Sequence, residues 1–177
     1  MKTDVIEINS QGTGFENAVS ATQKAAAYNG LTEKETIQLL LCSEEMLSLI
    51  RSVTGETNAS FWLESEGKKY TLHLTTKTVM DKDKRAQLLW SASSGKNEAA
   101  KGFLGMLRNA LEEAMTSDVD RSCYDLPADL AADLAYHTVE EQEWNGYERS
   151  VLRRMANDIK IGIRGGVVEM IVVKDFT

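Results

Sequence analysis

The stretch that decides the fold is "ASFWLESEGKKYTLHLTTK", residues 59–77. Its two halves alternate apolar and polar residues, which is the pattern of β-strands with one buried face. The intervening "EGK" predicts a hairpin turn. In the second strand Tyr70, Leu72 and Leu74 share one face, and His73 lies on the other. These residues predict an antiparallel pair of strands whose apolar face must be covered by other elements.

A second hairpin closes the chain. The segments "KIGIR" and "VVEMIVVK" flank Gly165-Gly166, and two glycines suit a two-residue turn because both positions can take positive φ. Near the start of the chain, "TDVIEI" predicts one more short strand. Five strands, four of them in hairpins, indicate a mostly antiparallel sheet.

Helical segments lie between the strands. Those with helical spacing are "GFENAVSATQKAAAYNG", "DKDKRAQLLWSAS", "NEAAKGFLGMLRNALEEAMT" with Asn97 as its cap, and "EEQEWNGYERSVLRRMAND". The longest helix follows "LTEKE", where Thr32 and Glu35 form a capping box, and runs to about Val53. The order of elements predicts an α+β fold, a two-layer sandwich with helices on one face of the sheet. A chain of 177 residues with no obvious linker suits a single domain, residues 1–177.

The charge of the chain is concentrated in one segment. The formal net charge is −7, and residues 117–145 hold eight acids and one base, while the remainder has 19 of each. We interpret this acidic segment as an insert that docks a basic protein partner; the alternative is a solvated loop with a local helix. The chain has no basic patch for nucleic acid and no apolar run near the ~20 residues that cross a bilayer. Two cysteines and no signal peptide favour the cytoplasm.

Two adjacent glutamates stand in the middle of the longest helix, in "CSEEMLSLI". On a helical wheel, Leu39, Met46 and Ile50 belong to a wide apolar arc that should pack on the sheet. Glu44 and Glu45 border this arc. A buried carboxylate is costly without a partner or a task. The two glutamates are therefore either solvated rim residues or part of a site in a cleft beside the helix.

The order of strand, two helices and hairpin, with "EEMLSLI" on the second helix, resembles the GHKL (histidine kinase-like) ATPase superfamily, and within it the anti-sigma-factor serine kinases. The resemblance implies ATP as a cofactor and a glutamate on the second helix that activates the attacking group, here Glu44 or Glu45. It further implies an acid after the third strand that contacts adenine, here Asp81. A glycine-rich phosphate loop would contain Gly95, Lys96 and Gly102.

The chain departs from the family pattern at two motifs. The family keeps an asparagine four residues after the glutamate to hold magnesium, but here Leu49 follows Glu45 and Ser48 follows Glu44. Ser48 is the better of the two as a ligand to the nucleotide, and magnesium is not expected. No glycines follow Asp81 where the family has Asp-x-Gly-x-Gly. No sequence pattern predicts a metal site.

We therefore expect a degenerate histidine kinase-like ATPase domain with a regulatory role of the anti-sigma kinase type and residual nucleotide binding. Turnover is not expected, because phosphoryl transfer depends on neutralising charge around the phosphates. The alternative is a non-catalytic interaction scaffold that has lost ATP. If the chain were active, the resemblance implies an ATP-dependent serine protein kinase.

Overall fold

A computed structural model describes residues 1–9, 12–55, 58–100 and 151–177. The strands are β1 (Ile6–Ile8), β2 (Ala59–Glu66), β3 (Lys69–Lys77), β4 (Asp158–Arg164) and β5 (Val167–Asp175), and the helices are α1 (Phe15–Tyr28), α2 (Glu33–Thr54) and α3 (Lys82–Ser91). A 3-10 turn, Glu98–Ala100, follows α3, and residues 151–155 are helical just before β4.

The five strands form one sheet in the order β1-β2-β3-β5-β4, and every pair of neighbours is antiparallel. Both predicted hairpins are present. The second turns at Gly165 and Gly166, whose φ values are +57° and +76°. Strands from before and after residues 101–150 thus share one sheet, and the predicted α+β sandwich is confirmed. No described helix is both long and apolar enough to span a membrane.

The core lies between one face of the sheet and the helices. Burial alternates strictly along β2 and β3, so Phe61, Leu63, Leu72 and Leu74 are fully buried while their neighbours are only half-buried. α2 covers this face with the predicted apolar arc, which includes Met46. The periods of 2 along the strands and 3.6 along the helix therefore meet in one continuous core.

Shortening Met46 to alanine tests this packing. Met46 has no exposed surface, so Met46→Ala should lower the free energy of unfolding by ~2–5 kcal/mol. Ile37 lies on the outer side of the same helix and is 50% exposed, so Ile37→Ala is the matched control. Urea unfolding of both variants measures the difference. A Met46→Ala loss no greater than that of Ile37→Ala would mean that the buried face is wrongly assigned.

The capping box predicted for α2 is present. Thr32 Oγ1 accepts from the Glu35 backbone N–H at 3.3 Å, and Glu35 Oε2 accepts from the Thr32 backbone N–H at 2.7 Å. Lys68 Nζ, in the β2–β3 turn, donates to Glu35 Oε1 at 2.9 Å. These contacts, first the Thr32 backbone hydrogen bond and then Lys68, lower the pKa of Glu35 from 4.5 to about 2.

The lowered pKa of Glu35 predicts a specific acid sensitivity. A carboxylate with a depressed folded-state pKa contributes stability above its ordinary value of 4.5, and that stability is lost as the pH falls towards about 2. In Glu35→Gln this part of the pH dependence should be missing. Thermal unfolding from pH 6 to pH 2 compares the two proteins, with the exposed Glu33→Gln as the control. Parallel pH profiles for Glu35→Gln and the unmodified protein would contradict the assignment.

Asn97 caps a helical turn, as predicted, and it also anchors that turn to the sheet. Its Oδ1 accepts from the Ala99 N–H at 3.1 Å at the start of the 3-10 turn Glu98–Ala100, and its side chain also bonds to the backbone of Ile163 in β4. The remainder of that predicted helix, the acidic segment 117–145 and most of the predicted helix before β4 lie outside the described residues.

Candidate functional site

Glu44 and Glu45 project from different sides of α2. Met46 is fully buried on the sheet, and each residue turns the helix by about 100°. Leu47 lines a small cavity whose other walls include residues of β1 and α1. The side of α2 that carries Leu47 therefore faces β1 and α1. Glu45 therefore projects from the opposite flank, towards α3 and β5, and Glu44 projects away from the sheet. Both side chains are half-buried.

If Glu45 is aligned with the family's catalytic glutamate, the expected position of the magnesium ligand is Leu49, which is part of the hydrophobic core. Leu49 lies one turn after Glu45 and is 5% exposed. In the Glu44 register the corresponding residue is Ser48, which is exposed on the outer side of α2. An apolar side chain cannot coordinate a cation, and magnesium prefers oxygen ligands. Among the described residues, no three His, Cys, Asp or Glu side chains are grouped to hold a metal ion.

Asp81 caps a helix. Its Oδ1 accepts from the Lys84 backbone N–H at 2.7 Å, and its Oδ2 lies 3.9 Å from Lys84 Nζ. Asp81 therefore satisfies the first turn of α3, as N-cap aspartates do. Its carboxylate is engaged within the chain, at the point where the family's adenine-binding acid is expected.

Gly95 and Lys96 belong to a segment that we call the strap, residues 93–97. The strap lies along the outer edge of β4, with Ser93 bonded to Ile159 and Asn97 bonded to Ile163. Gly95 has a φ of +64°, and both Gly95 and Lys96 are exposed. α2 instead contacts α1, α3 and β5. Gly102, the last residue of the predicted phosphate loop, lies outside the described residues.

Three cavities are lined by described residues alone. Two are open grooves of about 530 and 690 Å³, at opposite ends of β3, and the third is a small apolar cavity of about 30 Å³ between α1, α2 and the sheet. None of the predicted site residues (Glu44, Glu45, Ser48, Asp81, Gly95 and Lys96) lines any of these three. The described part of the chain thus does not join the predicted residues in one of these cavities.

Cys42 is too deeply buried to act as a nucleophile. It is fully buried on α2, and burial raises the pKa of its thiol to about 11, although nearby Lys174 acts in the opposite direction. A thiol with a pKa this high is protonated at neutral pH and unreactive. Lys174 Nζ donates to the Met155 carbonyl at 2.7 Å, where the helical residues 151–155 end.

The sequence interpretation missed a cluster on the sheet face opposite the helices. Trp62 and His73 are paired across β2 and β3, and their rings stack with centroids 4.8 Å apart and an interplanar angle of 3°. Lys2 Nζ lies 5.7 Å from the Trp62 ring and 2.9 Å from Glu64 Oε1. Burial lowers the pKa of His73, although the Glu64 carboxylate 3.9 Å away opposes this effect. His73 is therefore mainly neutral at pH 7.

No protein-family model matches this chain, and no curated protein matches it either.

Proposed function

We propose that this chain is a degenerate histidine kinase-like ATPase domain that acts as a regulator by binding a protein partner, in the manner of the anti-sigma kinases. The order of elements and the position of α2 over the sheet support the architecture. Glu45 is on the flank of α2 that faces α3, which supports residual contact with a nucleotide. The proposed role is regulation without turnover.

One observation carries the proposal. Leu49 belongs to the hydrophobic core at the position where a catalytic member of the family holds magnesium. A kinase or ATPase site needs a cation to bridge the phosphates and to neutralise the charge that develops during transfer. With leucine in that position, we infer that nucleotide binds weakly and without magnesium.

The second candidate is a scaffold that has lost ATP altogether. Asp81 favours it, because the carboxylate that would select adenine is used to cap α3. In this case the sandwich is retained only as a rigid support for a protein-binding surface. The two candidates share the protein partner and differ only in nucleotide binding.

Isothermal titration calorimetry with ATP distinguishes the candidates. For the first we expect a dissociation constant near 1 mM, about −4 kcal/mol, that is the same with magnesium and with a chelator. Glu45→Gln should change the dissociation constant for ATP. Glu33→Gln should leave it unchanged, because Glu33 lies on the exposed first turn of α2.

The same titration separates the remaining outcomes. No heat at millimolar ATP would select the scaffold. Tight binding that disappears on chelation would contradict both candidates, because another residue would then have to hold the metal.

A further inference from the structure

Among the described residues, the outer edge of β4 is covered by the strap and the 3-10 turn Glu98–Ala100 that follows it, and not by another strand. The Ile159 N–H donates to Ser93 Oγ at 2.8 Å, and its carbonyl accepts from the Ser93 N–H at 2.8 Å. The Ile163 N–H donates to Asn97 Oδ1 at 2.8 Å, and its carbonyl accepts from Asn97 Nδ2 at 2.9 Å. Three of these four bonds use a side-chain atom of the strap. The strap therefore replaces the backbone pairing that a neighbouring strand would provide.

The strap is attached mainly at its two ends. Ser94, Gly95 and Lys96 are exposed and bury no apolar side chain, and Gly95 at φ +64° gives this middle part a turn. An isolated bridge joins Asn97 and Ile161, and the 3-10 turn that continues the strap packs against the edge, with Ala99 beside Gly162. A segment with two anchors and little buried apolar surface can leave the edge without disturbing the core.

The sequence of β4 is complementary to itself. In "DIKIGIR", residues 158–164, antiparallel pairing with a second copy about Ile161 places Asp158 opposite the second copy's Arg164. Ile159 then faces Ile163, so the buried side chains of both copies stay on the same side of the joined sheet. Opposite charges directly across an antiparallel pair are favourable, and like charges are avoided in this register.

The backbone N–H and C=O groups of β4 alternate in the way that this antiparallel pairing requires. Ile159 and Ile163 direct their N–H and C=O groups outward, where the strap now binds them, and Ile161 between them follows the same alternation. In a pair centred on Ile161, the residues 159 and 163 of different copies exchange both hydrogen bonds, as do the two copies of residue 161. Asp158 and Arg164 then form a pair without backbone bonds, in which side chains are closest.

We propose that the outer edge of β4 is a self-association surface closed by the strap, and that release of the strap lets two copies join their five-stranded sheets β4 to β4. Each copy then offers the other the donors and acceptors that Ser93 and Asn97 satisfy in the closed form. Position and movement of the strap thus control whether the chain is a monomer or a two-fold dimer.

The first test removes the anchors. Ser93→Ala with Asn97→Ala deletes both anchoring side chains and leaves β4 unchanged. Sedimentation velocity of the full chain, over a range of concentrations, should show dimerisation at least about tenfold tighter than for the unmodified protein. A double variant that circular dichroism shows to be folded, and that remains monomeric at every concentration, would overturn the proposal.

The second test asks whether the dimer uses the predicted register. In the anchor-free background, Arg164→Asp should weaken dimerisation because it faces Asp158 of the second copy. Adding Asp158→Arg should restore it. Lys77→Asp is the matched control, since Lys77 is exposed at the same end of the sheet but on β3. Equal dimerisation of the single and double charge variants would exclude this pairing.

A crosslink keeps the proposal testable if the anchor-free variant does not fold. Asp158→Cys with Arg164→Cys, in a chain with Cys123→Ser and the strap intact, should slowly form a disulfide-linked dimer under mild oxidation. The disulfide traps copies whose straps are transiently released, because non-hydrogen-bonded pairs bring Cα atoms to about 4.5 Å. The same experiment with Lys77→Cys and Asp158→Cys should give no dimer. Absence of the first crosslink would reject the proposal.

Discussion

Replacing Leu49 with asparagine, the residue expected there if the proposed histidine kinase-like relationship holds and Glu45 is the family's glutamate, should destabilise the chain by about 3–5 kcal/mol. Leu49 is 5% exposed and packs in the core, so the substitution removes a buried apolar side chain and places an amide among apolar neighbours. The measurement is the midpoint of urea unfolding at constant slope. Because the amide would be buried, we further expect Leu49→Asn to gain no magnesium-dependent ATP binding.

The matched control for Leu49→Asn is one residue away. Ser48 is exposed on the outer side of α2, so Ser48→Asn should change the free energy of unfolding by less than about 0.5 kcal/mol. If Leu49→Asn were as stable as Ser48→Asn and bound ATP with magnesium, the nucleotide site would be intact apart from this leucine. The proposed regulatory role without metal would then be wrong.

Gly14→Ala is expected to destabilise the chain by about 3 kcal/mol or more, because two penalties combine. Gly14 precedes α1 with a φ of +90°, a conformation that residues with a Cβ rarely adopt. A Cβ at this position would also clash with the Glu7 carbonyl oxygen, which belongs to the backbone of β1 and cannot rotate away. The connection between β1 and α1 would therefore have to open. Thermal unfolding measures the loss.

Gly30→Ala isolates the contribution of the clash. Gly30 also has a positive φ, +66°, but a Cβ there would meet nothing within 4 Å. Only the conformational penalty applies, so Gly30→Ala should cost about 1 kcal/mol. A similar loss for the two variants would show that the close approach of Gly14 to β1 does not hold in solution.

The elements of the fold follow from local patterns. Alternation along 59–77, the Gly165-Gly166 turn and the capping box of Thr32 and Glu35 each depend on residues close in sequence, and all were predicted correctly. Asn97 was predicted as a helix cap and does cap the turn Glu98–Ala100, but its second role, as an anchor to β4, was not predicted. Its partner Ile163 is 66 residues away, and no local pattern reports a contact of that length.

The cluster around Trp62 was in principle predictable. Glu66 pairs with Lys69 across Gly67 and Lys68, and this two-residue turn fixes the register that places Trp62 opposite His73. A three-residue turn, as "EGK" suggests, leaves that register open, so the sequence pattern does not pair His73 with Trp62. The stacking and the lowered pKa depend on the pairing and cannot be read from either strand alone.

The sequence predicted the surroundings of only some of the candidate site residues. The helical wheel correctly placed Glu44 and Glu45 at the border of the buried arc, since both are half-buried. It could not distinguish them, because the distinction depends on which elements flank α2. For Asp81, the sequence alone would have been enough. An aspartate that begins "DKDK" before a helical segment is an ordinary N-cap pattern, so its role as the cap of α3 could have been predicted.

The most direct test of the account is phosphate release from ATP at saturating magnesium, compared with the matched variant Glu45→Gln. A glutamate that activates an attacking group should lose most of its rate when changed to glutamine, whereas a regulator without a metal ligand has no such rate to lose. We predict that the unmodified protein and Glu45→Gln release phosphate at the same background rate, with or without a chelator. Magnesium-dependent release that Glu45→Gln abolishes would contradict the account.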